Sequence, residues 1–75
     1  MNLCVNGERM EIDFDEVLPT LLTLFHVLKL SLEGRFVELN GDIYNSDLFS
    51  MVVLKEGDVV EIIQFMGGGD LPIHI

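Results

Sequence analysis

The sequence predicts an α+β fold in which one helix packs on one face of a small mixed sheet of four to five strands. Residues 2–14 and 36–44 contain short apolar runs, each interrupted by an Asn-Gly pair, and residues 17–30 show helical spacing of apolar side chains. Residues 59–66 form the most β-branched run of the chain. Because the chain has only 75 residues, we expect one domain with a small core.

The first predicted element is a β-hairpin over residues 2–14. Asn6-Gly7 is a strong turn signal, because a type I′ turn needs positive φ at both central residues. After this turn, Met10, Ile12 and Phe14 alternate with charged residues. That alternation is typical of a strand with one buried face.

The helix is predicted over residues 17–30. Its apolar stripe has i, i+3, i+4 and i+7 spacing and consists of Leu18, Leu21, Leu22, Phe25 and Leu28. Asp15 and Glu16 carry carboxylates that favour a helix N-terminus, and Pro19 is tolerated only in the first turn.

The second half of the chain returns to strand patterns. Residues 36–40 predict a strand, Asn40-Gly41 a second hairpin turn, and Ile43-Tyr44 a short return strand. Residues 48–54 are apolar without a clear period, which leaves a short helical turn and an irregular crossover open. Residues 59–66 predict the last and most buried strand.

This order of elements suggests the ubiquitin-like β-grasp. We therefore predict a β-grasp domain over residues 1–66, followed by a flexible glycine tail with a six-residue extension over residues 67–75.

The charge balance limits the kinds of partner. Four basic residues against thirteen acidic ones give a net charge of −9, which argues against nucleic-acid binding and anionic membranes and favours a basic partner. The single cysteine, Cys4, cannot form an intramolecular disulfide, and no apolar window is long enough for a membrane span. We expect a cytoplasmic protein.

Little of the sequence suggests catalysis or metal binding. One cysteine and two separated histidines, His26 and His74, do not predict a metal site, and we expect no bound cofactor. The three glycines after the last strand lack the Lys-Ser/Thr and the helix of a phosphate loop. We interpret Gly67 and Gly68 instead as part of an extended segment that enters a narrow channel in a partner, because glycine has no side chain. When extended, this segment reaches about 13 Å from Phe65 to Gly69.

Residues 1–69 resemble the small ubiquitin-like sulfur carriers of the ThiS/MoaD superfamily, and the thiamine-pathway type (ThiS) more closely. The resemblance rests on Val5-Asn6-Gly7-Glu8, on Leu21-Leu22 and on residues 36–41. Its most specific part is residues 54–69, where Gly57-Asp58 precedes a Val/Ile-rich strand and the three glycines.

The resemblance implies a carrier that is not itself an enzyme. An E1-like adenylyltransferase of the ThiF type would use ATP to adenylate the last glycine, and sulfur from a cysteine-derived persulfide would replace AMP to leave a thiocarboxylate. A thiazole synthase of the ThiG type would accept the sulfur. A ubiquitin-like modifier conjugated to lysines, a carrier for molybdopterin or amino-acid synthesis, and an interaction module with an inert tail remain alternatives.

The tail departs from the family pattern, which ends in Gly-Gly. Here Gly69 is joined to Asp70, so its carboxylate is not free. We expect a processing metallopeptidase to remove residues 70–75 and leave Gly69 as the activated terminus, with Gly68 as the alternative. A cloning remnant is the remaining explanation of the extension.

A docking surface for the activating enzyme is predicted on the last strand. Ile63 and Phe65 would supply apolar contact on the sheet face away from the helix, while Asp58 and Glu61 would steer a basic partner. Burial of the apolar side chains within the domain or in a dimer is the alternative.

Overall fold

A computed structural model describes residues 1–65 and 72–74 of the chain. The first half contains strands β1 (Asn2–Val5) and β2 (Glu8–Glu11) and helix α1 (Leu21–Val27). The second half contains strands β3 (Arg35–Leu39) and β4 (Asp42–Asn45), a 3₁₀ helix (Ser46–Met51), and strands β5 (Val59–Phe65) and β6 (Pro72–His74).

The strands form one mixed sheet in the order β2-β1-β5-β3-β4. Strands β1 and β5 are parallel, and the other pairs along this path are antiparallel. Strand β6 pairs with β5 outside this path. With α1 on one face, this is the predicted β-grasp arrangement.

Both Asn-Gly turns have the predicted backbone conformation. Asn6 and Gly7 have φ of 50° and 79°, and Asn40 and Gly41 have φ of 50° and 94°. These turns connect β1 to β2 and β3 to β4, so the two hairpins are confirmed.

Helix α1 is shorter than the predicted span of residues 17–30. Thr20 caps its start, because the Thr20 hydroxyl accepts the Thr23 N–H and the Thr23 hydroxyl accepts the Thr20 N–H. Lys29 adopts a left-handed conformation with φ 59° and ends the helix. The N–H groups of Lys29 and Leu30 donate to His26 and Phe25 carbonyls, which is a Schellman closure.

The core lies between α1 and the inner face of the sheet. The most deeply buried side chains, each exposed by 2% or less, include Leu3, Leu21, Leu24, Phe25, Val37, Phe49, Val60 and Ile62. Leu24, expected off the buried stripe, is thus in the core, whereas Leu18 precedes the helix and is exposed. Of the two alternatives for residues 48–54, a helical turn places Phe49 against Phe25, with ring centroids 4.9 Å apart.

The six-residue extension contains a strand. Strand β5 ends at Phe65, and residues 72–74 form β6. Residues 66–71, including the three glycines, and residue 75 lie outside the described residues. Within the described part of the chain, no helix has the length and apolar character needed to cross a bilayer.

Candidate functional site

The sheet has a second face that α1 does not cover, here called the outer face. Val60 and Ile62 point into the core, so Val59, Glu61 and Ile63 belong to the outer face by strand alternation. Residues directly opposite on neighbouring strands share a face, which adds further residues to it. They include Cys4, opposite Val59; Arg9, opposite Cys4; Phe36, opposite Ile63; Glu38, opposite Glu61; and on β4 Ile43 and Asn45.

The outer face combines exposed apolar side chains with carboxylates. Ile43 is 64% exposed and Val59 is 44% exposed, while Phe36 and Cys4 are half-buried. Glu38 and Glu61 lie directly opposite each other between them. This arrangement suits a partner that has an apolar contact surface bordered by a basic group.

Ile63 and Phe65, the apolar residues of the predicted docking surface, are at the end of β5. Ile63 is only 8% exposed, so it offers less contact area than its neighbours on the outer face. Phe65 is the last residue of β5 and lies opposite Pro72. Strand alternation from sequence already places Val59 on the face of Ile63 and Phe65, whereas Ile43 was missed, although Ile43 follows the Asn40-Gly41 turn with a strand's alternation.

Asp58, predicted to steer a basic partner, makes hydrogen bonds within the chain. Its side chain is buried, because one carboxylate oxygen accepts the Asn40 side-chain N–H at 2.9 Å and the other accepts the Lys55 backbone N–H at 2.7 Å. Asn40 in turn accepts the Val59 N–H at 2.9 Å. This cluster holds the turn before β5 against the β3–β4 turn and fixes where β5 begins. Glu61 is half-buried on the outer face and remains in position to contact a partner.

Asn6 fixes β5 from the other side. Strand β1 leaves the sheet at Asn6, whose backbone N–H donates to the Val60 carbonyl at 2.8 Å. The Asn6 side-chain carbonyl then accepts the Ile62 N–H at 2.7 Å. The Asn6-Gly7 pair predicts the turn from sequence, but this contact joins residues 56 positions apart and has no local sequence signal.

The described residues contain no group of three or more His, Cys, Asp or Glu side chains that could hold a metal ion. Cys4 is a half-buried free thiol on β1. The arrangement is a mixed sheet whose outer face carries apolar side chains, the carboxylates of Glu38 and Glu61, and Arg9, and its central strand leads in sequence to the glycines at 67–69.

These features define a ubiquitin-like β-grasp protein, and comparisons with known proteins identify its family. The ThiS family model matches residues 3–69, and the chain belongs to the ThiS family, whose members are small sulfur carrier proteins. The match stops at the third glycine, so residues 70–75 lie beyond the family pattern.

Two solved structures of a thiamine biosynthesis protein from Geobacter metallireducens are similar to this chain. The crystal structure of that protein (ThiS) is 38% identical with a TM-score of 0.78, covering 92% of this chain and 100% of its own. The NMR structure is 40% identical with a TM-score of 0.71, covering 99% of this chain and 95% of its own. Among curated proteins, no sequence matches significantly.

Proposed function

We propose that this protein carries sulfur as a thiocarboxylate on Gly69 for thiazole formation in thiamine biosynthesis. The observation that carries the proposal is the ThiS match, which covers the domain and stops at Gly69. The similarity to a Geobacter thiamine biosynthesis protein over 92% of the chain supports the pathway.

The proposed chemistry needs activation of the glycine carboxylate, because a carboxylate is a poor acyl donor. An E1-like adenylyltransferase of the ThiF type converts the Gly69 carboxylate and ATP into an acyl adenylate and pyrophosphate. The outer sulfur of a cysteine-derived persulfide attacks the acyl adenylate and displaces AMP, which leaves an acyl disulfide. A thiol reductant then cleaves the S–S bond, so that the thiocarboxylate is released, the cysteine returns as a thiol and the reductant becomes a disulfide. A thiazole synthase of the ThiG type takes the sulfur. A covalent acyl intermediate holds the sulfur throughout, so free sulfide is not released.

Activation requires a free carboxylate on Gly69, so the extension must first be removed. In the chain as written, Gly69 is in a peptide bond to Asp70. We propose that a processing metallopeptidase cuts after Gly69 and removes residues 70–75. Cleavage after Gly68 is the alternative, and the mass of the protein isolated from its native cell distinguishes the two.

The outer face is the proposed docking surface for the activating enzyme. Val59 and Ile43 supply exposed apolar area, and β5, which also carries Ile63 and Phe65, leads in sequence to the glycines. Glu61 supplies negative charge beside these residues. Because this surface is on the strand that leads to the glycines, docking would direct the terminus toward the partner's active site.

The test is sulfur loading of defined termini. Chains that end at Gly69, at Gly68 and at Ile75 are incubated with the activating enzyme, ATP, a persulfide source and a thiol reductant, and each is then weighed intact. We expect replacement of one oxygen by one sulfur only on the chain that ends at Gly69. Loading of the chain that ends at Ile75, or AMP transfer to none of the three, would overturn the proposal. Conjugates in which the C-terminal glycine is linked to other proteins would instead indicate a ubiquitin-like modifier.

A further inference from the structure

Strand β6 occupies a particular edge of β5. Strand β1 pairs with β5 only at Val59 and Val60, and it leaves the sheet at the Asn6-Gly7 turn. Beyond that point, the side of β5 vacated by β1 pairs with β6, and Ile73 lies opposite Gln64. The rest of β5 on this side is therefore a strand edge that the end of the chain fills.

The hydrogen-bonding groups of this edge follow from strand alternation. The Val60 carbonyl and the Ile62 N–H both point toward β1, where they bond to Asn6. Since alternate residues direct their backbone groups to the same side, Gln64 presents its N–H and carbonyl to β6. Gln64 and Ile73 thus form the pair that exchanges hydrogen bonds.

The sequence of β6 suits this register. Pro72 lies opposite Phe65, one position from the hydrogen-bonded pair, so its backbone nitrogen faces away from β5. Proline is tolerated in a strand at such a position because no ladder hydrogen bond is lost. A shift by one residue would place the proline against β5, so Pro72 favours the observed register.

The same strand borders the outer face at Ile63. Ile63 is 8% exposed, yet it is not part of the core cluster between sheet and helix. Its neighbours across the sheet are Phe36 on β3 and His74 on β6. Strand β6 therefore lies beside the most buried apolar residue of the outer face.

We propose that the edge of β5 beyond Asn6 is a strand-acceptor surface beside the docking surface and that residues 72–74 are its own occupant, which masks this edge from the activating enzyme until the extension is removed. The proposal rests on the proposed function, because it assigns a regulatory role to the edge that borders the docking surface. The extension then blocks activation twice. It blocks the Gly69 carboxylate by a peptide bond, and it occupies the β5 edge that borders the outer face.

The first test needs no partner protein. Amide hydrogen exchange at Gln64 is measured by NMR in the full chain, in the chain ending at Gly69, and in Ile73→Pro and His74→Pro. Ile73→Pro removes the N–H that faces β5, whereas His74→Pro changes a residue whose N–H points away, as Pro72 does. We expect exchange to be about tenfold faster in the truncated chain and in Ile73→Pro, with His74→Pro like the full chain. Equal exchange in the full and truncated chains would overturn the proposal.

The second test measures masking. Affinity for the activating enzyme is determined without ATP, so that no chemistry is needed. We expect the truncated chain and Ile73→Pro to bind more tightly than the full chain, and His74→Pro to bind like the full chain. Equal affinity of all four would overturn masking. If the truncated chain binds more tightly but is never adenylated, the proposed function is wrong, whereas the proposed masking by β6 is supported.

Discussion

The Asn6 side-chain carbonyl accepts a hydrogen bond from the Ile62 backbone N–H at 2.7 Å, at the point where β1 leaves the sheet. Asn6 thus forms part of the first hairpin turn and also makes a hydrogen bond to β5, the central strand of the sheet. Its φ of 50° is a conformation that asparagine tolerates better than most residues.

Replacing Asn6 tests both of these roles. Asn6→Ala leaves the Ile62 N–H without its acceptor and puts alanine in a left-handed conformation, so we expect a loss of about 2–4 kcal/mol in the free energy of unfolding. Asn6→Gly removes only the acceptor and should lose less. Urea denaturation measures both. If the alanine and glycine variants unfold at the same urea concentration, backbone strain plays no part.

Lys29 provides the opposite case, in which a substitution should stabilise the protein. It holds a φ of 59° at the end of α1, a conformation that costs a non-glycine residue about 1–2 kcal/mol. Glycine avoids this cost but loses more backbone entropy on folding, so Lys29→Gly should gain about 0.5–1 kcal/mol. Lys29→Ala keeps the strained conformation and serves as the control. A thermal melt in which the glycine variant unfolds no later than the alanine variant would contradict the prediction.

Asp58 should matter for folding more than for partner binding. Asp58→Ala leaves the Asn40 side chain and the Lys55 N–H without their acceptor, so we expect a loss of about 2–4 kcal/mol in stability. Asp42→Ala removes an exposed carboxylate near the β3–β4 turn and should change stability by less than about 0.5 kcal/mol. Comparable urea midpoints for the two variants would show that the buried carboxylate is dispensable.

The Asn2 backbone N–H donates to the Glu56 carboxylate at 3.0 Å and lowers the pKa of that carboxyl from its ordinary value. A lowered pKa stabilises the fold above the unfolded-state pKa, about 4.3, and this contribution disappears as the pH falls through the folded-state pKa. Glu56→Gln should therefore lose slightly less stability between neutral and acidic pH than the parent protein. Urea midpoints at several pH values check this. The effect should be small because the carboxylate is exposed, and parallel pH profiles would refute it.

The outer face can be tested at a residue whose exposure is established. Val59→Asp places a charge in the exposed apolar part of that face, so we expect affinity for the activating enzyme to fall at least about tenfold. Met51→Asp is the matched control, because Met51 is also exposed but lies in the 3₁₀ helix. Both variants should remain folded by circular dichroism. Equal loss of binding in both would place the docking surface elsewhere.

Sequence predicted the elements whose causes are local. The Asn-Gly pairs require positive φ wherever they occur in a hairpin, and both hairpins formed as expected. The end of α1 was predicted too late, because apolar spacing continues through Leu28 and Leu30 while Lys29, without a glycine signal, turns the chain.

Features that depend on distant residues were not predictable. Strand β6 has only three residues and contains a proline, so nothing in its own sequence predicts a strand. It forms because β1 leaves part of β5 unpaired, which only the assembled sheet reveals. The hydrogen bonds of Asp58 were not predicted for the same reason, since its partners include an asparagine 18 positions away.

The central position of β5 also has a mechanical consequence. Strands β1 and β3 flank it on either side, and the C-terminal residues continue directly from it. An enzyme that pulls on the terminus therefore loads several backbone hydrogen bonds in shear at once, whereas a terminus attached to an outermost strand would be peeled off one bond at a time.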